Sequence, residues 1–275
     1  MEMRRAVELA VLKTLAGSGL YYVPVAASNR HIHLGQKEVE ALFGKGYELK
    51  KIRDLNQPGQ YVCNERVCVT GPKGRLEGLR VLGPVRKQTQ VEITAAEAYK
   101  AGIPVFVRMS GDLAGTPGCR LSGPLGDVEI PAGVIVSARH LHISDEQAGW
   151  YGLKNGDIVK IIKSGERATV YDNVVVRSGS DHSLEMHIDL DEANAAGISG
   201  TEYLEMVVPG KGIVPIGTTT AIQESGPAYD LVTEWEIMTA VKEGRTGIRV
   251  RKGGIVTPLA KDTARDKNIQ LIVDS

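Results

Sequence analysis

Two short stretches of this chain repeat one arrangement of groups that can ligate a metal. Residues 28–34 read Ser28-Asn29-Arg30-His31-Ile32-His33-Leu34, and residues 137–143 read Ser137-Ala138-Arg139-His140-Leu141-His142-Ile143. Four of the six histidines lie there. Residues i and i+2 of a strand point to the same face. Each His-x-His therefore aims two imidazoles at one point, the geometry a metal ion needs from a β-scaffold. One such pair is equally an ordinary solvated strand face. A solvated face does not require two copies with a serine and an arginine at matching offsets. The chemistry they suggest is metal ligation in a cleft where the two pairs meet.

Other polar residues could complete such a site. Leu184-Glu185-Met186-His187-Ile188-Asp189 alternates as a strand, with Glu185, His187 and Asp189 on one face and the apolar residues on the other. His182 follows Ser178-Gly179-Ser180-Asp181 and reads as a surface loop residue. Glu92 closes a strand just before Thr94-Ala95-Ala96-Glu97, which has the form of a capping box. Arg86 follows the tight turn Gly83-Pro84, and Arg80 lies in a strand. Strand periodicity by itself does not distinguish these side chains from solvated ones.

The elements that must hold these groups are short. Residues 3–15 have helical spacing, with Val7, Val11 and Leu15 as one row, Leu9 and Leu12 widening it, and Gly17 and Gly19 ending it. Such a helix packs on its own domain or docks on a partner surface. Leu20 to Val25 then leads as a strand into the first heptad. Each heptad runs into a short helix, Gln36–Phe43 after the first and one capped by Ser144 after the second. The repetition continues: Asp54–Gly59 is echoed by Asp112–Gly118, and Gly71-Pro72-Lys73-Gly74 by Gly123-Pro124-Leu125-Gly126. Each Gly-Pro-x-Gly reads as a hairpin turn between Val-rich strands. Pseudo-duplication into two similar small β-barrels or sandwiches follows.

After Gly200 the character changes. Val207–Pro215 reads as a Gly-rich strand pair, Gly217–Thr220 as a loop and Val232–Lys242 as a helix. Thr257-Pro258 starts a second helix that runs to about Asp266, and Ile269–Val273 is a last strand. This part holds no histidine or cysteine and reads as a small α/β appendage for packing, oligomerisation or docking.

A length of 275 residues allows one or two domains with a full core. Lys+Arg and Asp+Glu both total 33, so no nucleic-acid or membrane partner is expected. The 32 glycines and the Val-rich runs point to a β-rich class. Cys63, Cys68 and Cys119 lack metal-finger spacing and read as reduced thiols. No apolar run approaches about 18 residues and no signal sequence is present, so a soluble, intracellular protein is expected.

Six motifs together resemble the PduL-type phosphotransacylases, the phosphate propanoyltransferase family. They are the first heptad, Asp54-Leu55 with Pro58-Gly59, Leu82-Gly83-Pro84-Val85-Arg86, Ser110-Gly111-Asp112-Leu113, Ala138–His142, and Glu185–Asp189 continuing through Asp191-Glu192-Ala193-Asn194. The resemblance covers about residues 20–200 in order. It implies a mainly β fold with short α-helices: two similar small β-barrels packed around an interfacial metal site, with a C-terminal α/β extension outside it. The implied divisions are an amphipathic helix over 1–18, a discontinuous first barrel from 19–29 with 138–205, a second barrel from 30–137, and the extension over 206–275.

The same resemblance implies two zinc ions per chain. His31, His33 and Glu92 would hold one, and His140, His142 and His187 the other. Arg86 would bind phosphate, and Ser28, Arg80, Leu82 and Asn194 would line a coenzyme A site. The family usually has a lysine where Arg53 stands, which keeps the charge but not the geometry. The ligand sets differ in charge, which makes the second metal the stronger Lewis acid on ligand charge alone. A cytoplasmic homo-oligomer is implied, with residues 1–18 available to shell or core proteins of a bacterial microcompartment.

The implied reaction interconverts a short-chain acyl-CoA (propionyl-CoA or acetyl-CoA) and phosphate with acyl phosphate and CoA. Metal-bound imidazoles must be neutral, so activity is expected to fall as pH drops through roughly 6. No cysteine or serine stands beside an evident general base, which favours direct attack by phosphate over an acyl-enzyme. Two other functions could use the same groups. A dinuclear zinc thioesterase would need no phosphate fork from Arg86, and a non-catalytic metal-binding scaffold would rely on the terminal segments.

Overall fold

Strands dominate the computed structural model of the chain, which describes residues 2–210, 228–243, 245, 247–267 and 269–274. The chain divides into two units, Met1–Ile213 and Val214–Ser275.

Six strands of the first unit close into a barrel. Their order is Tyr22–Ser28, Glu185–Asp189, His140–Ile143, Thr169–Ser178, Ile158–Lys163, Glu202–Val207 and back to Tyr22–Ser28. Alternation turns Val23, Val25, Leu141, Ile143, Ile161 and Met186 into a shared interior, where each is fully buried. Burial of each such side chain stabilises the fold by about 1.5–3 kcal/mol.

Nine further strands form a second sheet. It runs Val107–Arg108, Val134–Ser137, Gln90–Glu92, His31–His33, Arg75–Gly83, Tyr61–Thr70, Cys119–Ser122, Asp127–Ile130, with Lys51–Asp54 paired to Tyr61–Thr70. Its flanks are joined by isolated hydrogen bonds, such as Val134 N–H to Pro117 O at 3.0 Å, rather than by a ladder. Full closure is therefore confined to the first set of strands. Both expected hairpin turns form, Gly71 N–H donating to Gly74 O and Gly123 N–H to Gly126 O, each at 2.9 Å.

The chain changes sheet at each heptad. Tyr22–Ser28 belongs to the barrel, and His31–His33 to the second sheet. Val134–Ser137 belongs to the second sheet, and His140–Ile143 to the barrel. The repeated motif thus marks two crossings in opposite directions.

The N-terminal helix, Glu2–Gly17, packs on the barrel core, but not through the expected row. Val7 and Val11 are 59% and 52% exposed, while Leu12 and Ala16 are buried against barrel residues. The sequence carries two apolar rows, and the one that pairs Leu12 with Ala16 meets the barrel. Gly17 lies inside the helix. Gly19, at φ 80°, supplies the left-handed residue that ends it.

In the second unit, Tyr229–Val232, Gly247–Val256 and Gln270–Val273 pair in parallel, with helices Glu234–Lys242 and Pro258–Asp266 between them in the chain. Thr233 and Thr257 cap these helices, and Val232, Ile237, Ile248 and Val250 form a separate core. The last barrel strand, Glu202–Val207, runs past residue 205. The expected strand pair beyond Val207 is described only as far as Gly210, and the Gly217–Thr220 loop lies outside the described residues. Among the described residues, no helix is long and apolar enough to cross a membrane.

Candidate metal centre

Four strands that carry candidate ligands end in the same way. Each runs, two residues on, into the N-cap of a helix: His33 to Gly35, Glu92 to Thr94, His142 to Ser144 and His187 to Asp189. Thr94 with Glu97, Ser144 with Gln147, and Asp189 with Glu192 form complete capping boxes. The fourth cap has no side chain. Gly35 N–H donates instead to Thr89 Oγ1 at 2.8 Å, and that hydroxyl donates to Glu38 Oε2 at 2.8 Å. A Cβ on residue 35 would sit 2.6 Å from Glu38 Oε2 and would have to displace that carboxylate. Local capping therefore fixes the end of every ligand strand.

Strand pairing brings the ligands together. His31 lies opposite Glu92 in one antiparallel pair, and His140 lies opposite His187 in another. Two triads result, His31 with His33 and Glu92, and His140 with His142 and His187, each with its ligand atoms within 4.8 Å of one another. The heptad arginines lock this register. Arg30 donates to Glu97 Oε1 at 2.7 Å and to Glu77 O at 3.0 Å. Arg139 pairs with Glu192 and donates to Asp172 O at 2.9 Å. In both copies the arginine grips the capping-box glutamate that follows the third ligand.

Hydrogen bonds set the histidine tautomers. Nδ1 of His31 donates to Asn29 O, and Nδ1 of His140 to Ala138 O, both at 2.8 Å, because a carbonyl can only accept. Their Nε2 atoms face the triads, that of His31 lying 3.5 Å from Glu92 Oε1. His140 Nε2 lies 3.1 Å from His142 Nε2, and the buried Nδ1 of His142 has no hydrogen-bond partner among the described residues. Burial, aided by neighbouring imidazoles, pushes His140 down to about 4 and His142 down to about 2. Burial, with the His31 charge, also holds His33 well below its ordinary value. His31 moves the other way. Burial opposes its charge, but the Glu92 carboxylate 3.5 Å away outweighs it and raises the imidazole. Glu92 is buried too, yet the imidazoles hold it below the ordinary carboxylate range. Converging imidazoles at both triads, the ionised carboxylate of Glu92 at the first and the partnerless His142 Nδ1 at the second are donor sets that fit a divalent cation.

Both triads open onto one cleft of about 1120 Å³ between the barrel and the second sheet. Arg86, Ser28, Arg53, Arg80 and Leu82 line it. Arg86 donates to Ser110 Oγ at 3.2 Å. Asn194 does not line the cleft. Its helix, Leu190–Ala196, turns Ala193 and Ala196 inward and leaves Asn194 exposed.

Three residues join the site beyond those expected. His182 is not a free surface residue: its ring centroid is 4.6 Å from that of His142, and its Nδ1 donates to Arg177 O. Arg177 lines the cleft from the barrel strand beside His142. Glu185 Oε2 lies 2.7 Å from His187 Nε2 and places a carboxylate against the all-histidine triad. The expected charge contrast between the two ligand sets is narrowed by that carboxylate. Strand alternation already put Glu185 on the His187 face, so this signal was present in the sequence. The loop after Lys51–Asp54 clamps the same point, Asn56 Nδ2 donating to Glu185 Oε1 at 2.7 Å and Gln57 Nε2 to Ser183 O at 3.0 Å.

Comparison with known proteins matches this region as a whole. The profile of the phosphate propanoyltransferase family matches residues 24–199. The chain belongs to that family. Named phosphate propanoyltransferases are among its relatives. The protein of Thermotoga maritima is 48% identical over 184 residues, 66% of this chain and 88% of the relative. That of Listeria monocytogenes is 47% identical over 175 residues, 64% of this chain and 82% of the relative. That of Escherichia fergusonii is 44% identical over 207 residues, 74% of this chain and 98% of the relative. As a phosphate propanoyltransferase family member the protein is a transferase, of the PduL type. The family match covers the second sheet, both triads and the barrel except for its last strand, Glu202–Val207, and ends before the second unit.

Proposed function

We propose that this protein transfers an acyl group between coenzyme A and phosphate at a dinuclear zinc site. His31, His33 and Glu92 would hold one ion, and His140, His142 and His187 the other. The observation that carries this reading is that two ligand triads face a single cleft that also presents Arg86. The 3.1 Å separation of His140 Nε2 and His142 Nε2 is close to the roughly 3.3 Å tetrahedral edge expected for zinc–nitrogen bonds of 2.0–2.1 Å.

In the forward direction an oxygen of hydrogen phosphate bonds to the thioester carbonyl carbon. The carbon–sulfur bond breaks with its electron pair on sulfur, and the phosphate proton ends on the CoA thiolate. Bound zinc supplies Lewis acidity for phosphate, for the thioester oxygen and for the departing sulfur. Arg86, partly buried and anchored on Ser110, offers a planar fork to two phosphate oxygens. Arg53, Arg80, Leu82 and Ser28 are the cleft residues assigned to coenzyme A. Asn194 would meet it only outside the cleft.

Direct attack is favoured over an acyl-enzyme. Ser28 Oγ lies 3.5 Å from His31 Nδ1, but that nitrogen already donates its proton to Asn29 O, so it cannot serve as the serine's base. Burial pushes the Cys63 thiol up to about 11 and Cys119 up to about 12, which leaves both protonated at neutral pH. Propionyl and acetyl groups differ by one methylene, a discrimination of about 1–3 kcal/mol. Self-association and packaging within a bacterial microcompartment belong to the same reading and are tested by co-purification with shell proteins.

The test is CoA release from propionyl-CoA by zinc-loaded protein. Release that requires phosphate, with loss of activity in His140→Ala, supports the transferase. Equal rates with and without phosphate would make the protein a zinc thioesterase. Full activity in His140→Ala together with no retained metal would overturn the metal-site assignment and leave the scaffold reading.

A further inference from the structure

The cationic side chains around the cleft are not equivalent. Arg30 is paired with Glu97, Arg66 donates to Gly78 O, and Arg80 donates to the carbonyls of Cys63 and Asn64. Arg86 donates to a neutral hydroxyl, Ser110 Oγ. Arg177 is partly buried and lines the cleft, and its guanidinium has no hydrogen bond or ion pair among the described residues. Its strand runs parallel to His140–Ile143, with Arg177 in register with His142. It therefore stands beside the second triad, while Arg86 stands beside the first, where its backbone N–H donates to Leu34 O next to His33.

Two guanidinium groups thus approach one cleft from opposite sheets. After burial, the charge of Arg177 is a cause that holds Arg86 below its ordinary value, although Glu92 opposes it. The carboxylates of the cleft do not neutralise Arg177. Glu92 contacts His31 and Gln90, and Glu185 is engaged by His187 and Asn56. An unpaired, partly desolvated guanidinium is stabilised by a multivalent anion, and its fork matches two oxygens of a phosphoryl group.

We propose that Arg177 is a second anion-binding arm of the site, holding from the barrel side the same transferable phosphate that Arg86 holds from the second sheet. This rests on the transferase reading above. The phosphate groups of coenzyme A offer the same chemistry, so the test must separate the two. Placement beside the second triad favours the transferable phosphate, because that phosphate must reach the metal ligands. Losing a charge-assisted hydrogen bond of about 1.5–3 kcal/mol corresponds to roughly a 10- to 150-fold change in binding.

Zinc-loaded wild type, Arg177→Gln and Arg177→Lys are compared in phosphate-dependent CoA release and in the rise of the melting temperature with inorganic phosphate. In Arg177→Gln, the KM for phosphate is expected to rise about 10- to 100-fold, the KM for propionyl-CoA to stay within twofold, and the thermal shift with phosphate to vanish. Arg177→Lys should recover part of both. An unchanged phosphate KM and thermal shift in Arg177→Gln, with phosphate-dependent turnover intact in the wild type, would overturn the assignment and leave the transferase reading standing. A rise confined to the propionyl-CoA KM would also overturn it, placing the arginine on coenzyme A. Release by the wild type that ignores phosphate would overturn the transferase reading itself and this proposal with it.

Discussion

Glu185 sits 2.7 Å from Nε2 of His187, so one ligand ring is held by a carboxylate where backbone carbonyls hold His31 and His140. Burial would raise Glu185, yet the bond to His187 and the amide of Asn56 keep it below its ordinary range and therefore ionised. A carboxylate behind a metal-bound imidazole raises its basicity, and its loss costs about 10- to 100-fold in metal affinity. Glu185→Gln keeps the shape and removes the charge. Zinc affinity at the second triad is expected to fall by about that factor while the first triad holds its ion. Competition against a chelator checks this, and two unaltered affinities would confine Glu185 to joining barrel and sheet.

Arg139 is expected to matter for stability rather than for substrate. It does not line the cleft, and it ties the second heptad to Glu192 and Asp172 O. Its side chain is 34% exposed, so solvent reduces the pair to about 1–2 kcal/mol. Arg139→Met should lower unfolding free energy by that amount in urea titrations and leave both substrate KM values unchanged.

Acidification should empty the two metal sites in sequence. His31 is raised, so protons begin to compete with metal at the first triad above about 6.5, the value of free histidine. His140 at about 4 and His142 at about 2 stay neutral at the second triad to lower pH. Activity loss through roughly 6 would then report the first site. Metal content after dialysis at stepped pH checks the order.

The metal-free protein should lose stability in the same direction. His33, His140 and His142 are depressed, so each contributes stability that is present above about 6.5 and is lost as pH falls through its folded value. His31 has the opposite sign: its contribution is present below about 6.5 and is lost as pH rises through its raised value. Below about 6.5 the His31 contribution is constant and the three depressed groups act alone, so the urea midpoint of chelator-treated protein should fall between pH 6.5 and 4.

The helix correction is measurable. Leu12 is 4% exposed and Val7 59%. Leu12→Ala should cost about 2–4 kcal/mol, and Val7→Ala less than about 0.5 kcal/mol. Equal costs would mean that the Val7 face is covered in solution.

What was legible in the sequence was local. The paired imidazoles follow from the two-residue strand period, and the caps at Thr94 and Ser144 are set within four residues. Both Gly-Pro-x-Gly hairpins are equally short-range. What was not legible depends on register between distant strands. Glu92 meets His31, and His187 meets His140, only because their strands pair, and no local pattern encodes that pairing. Family resemblance, not periodicity, pointed to those two ligands. His182 was misread because its loop composition is polar, while its ring is drawn inward by the Arg177 carbonyl. Two apolar rows share the N-terminal helix, and packing alone selects Leu12 and Ala16 over Val7 and Val11.

The crossings at the heptads impose an order on the nascent chain. Val25, on the first barrel strand, pairs with Met186, about 160 residues later, which at 5–20 residues per second is synthesised on the order of ten to thirty seconds afterwards. The strand must wait unpaired while the whole second sheet emerges. His31 can meet Glu92 well before His140 meets His187, so the two ligand sets become available to metal at different moments of synthesis. The barrel is begun first and sealed last, and its opening strand travels as an exposed edge until Glu185–Asp189 and then Glu202–Val207 cover it.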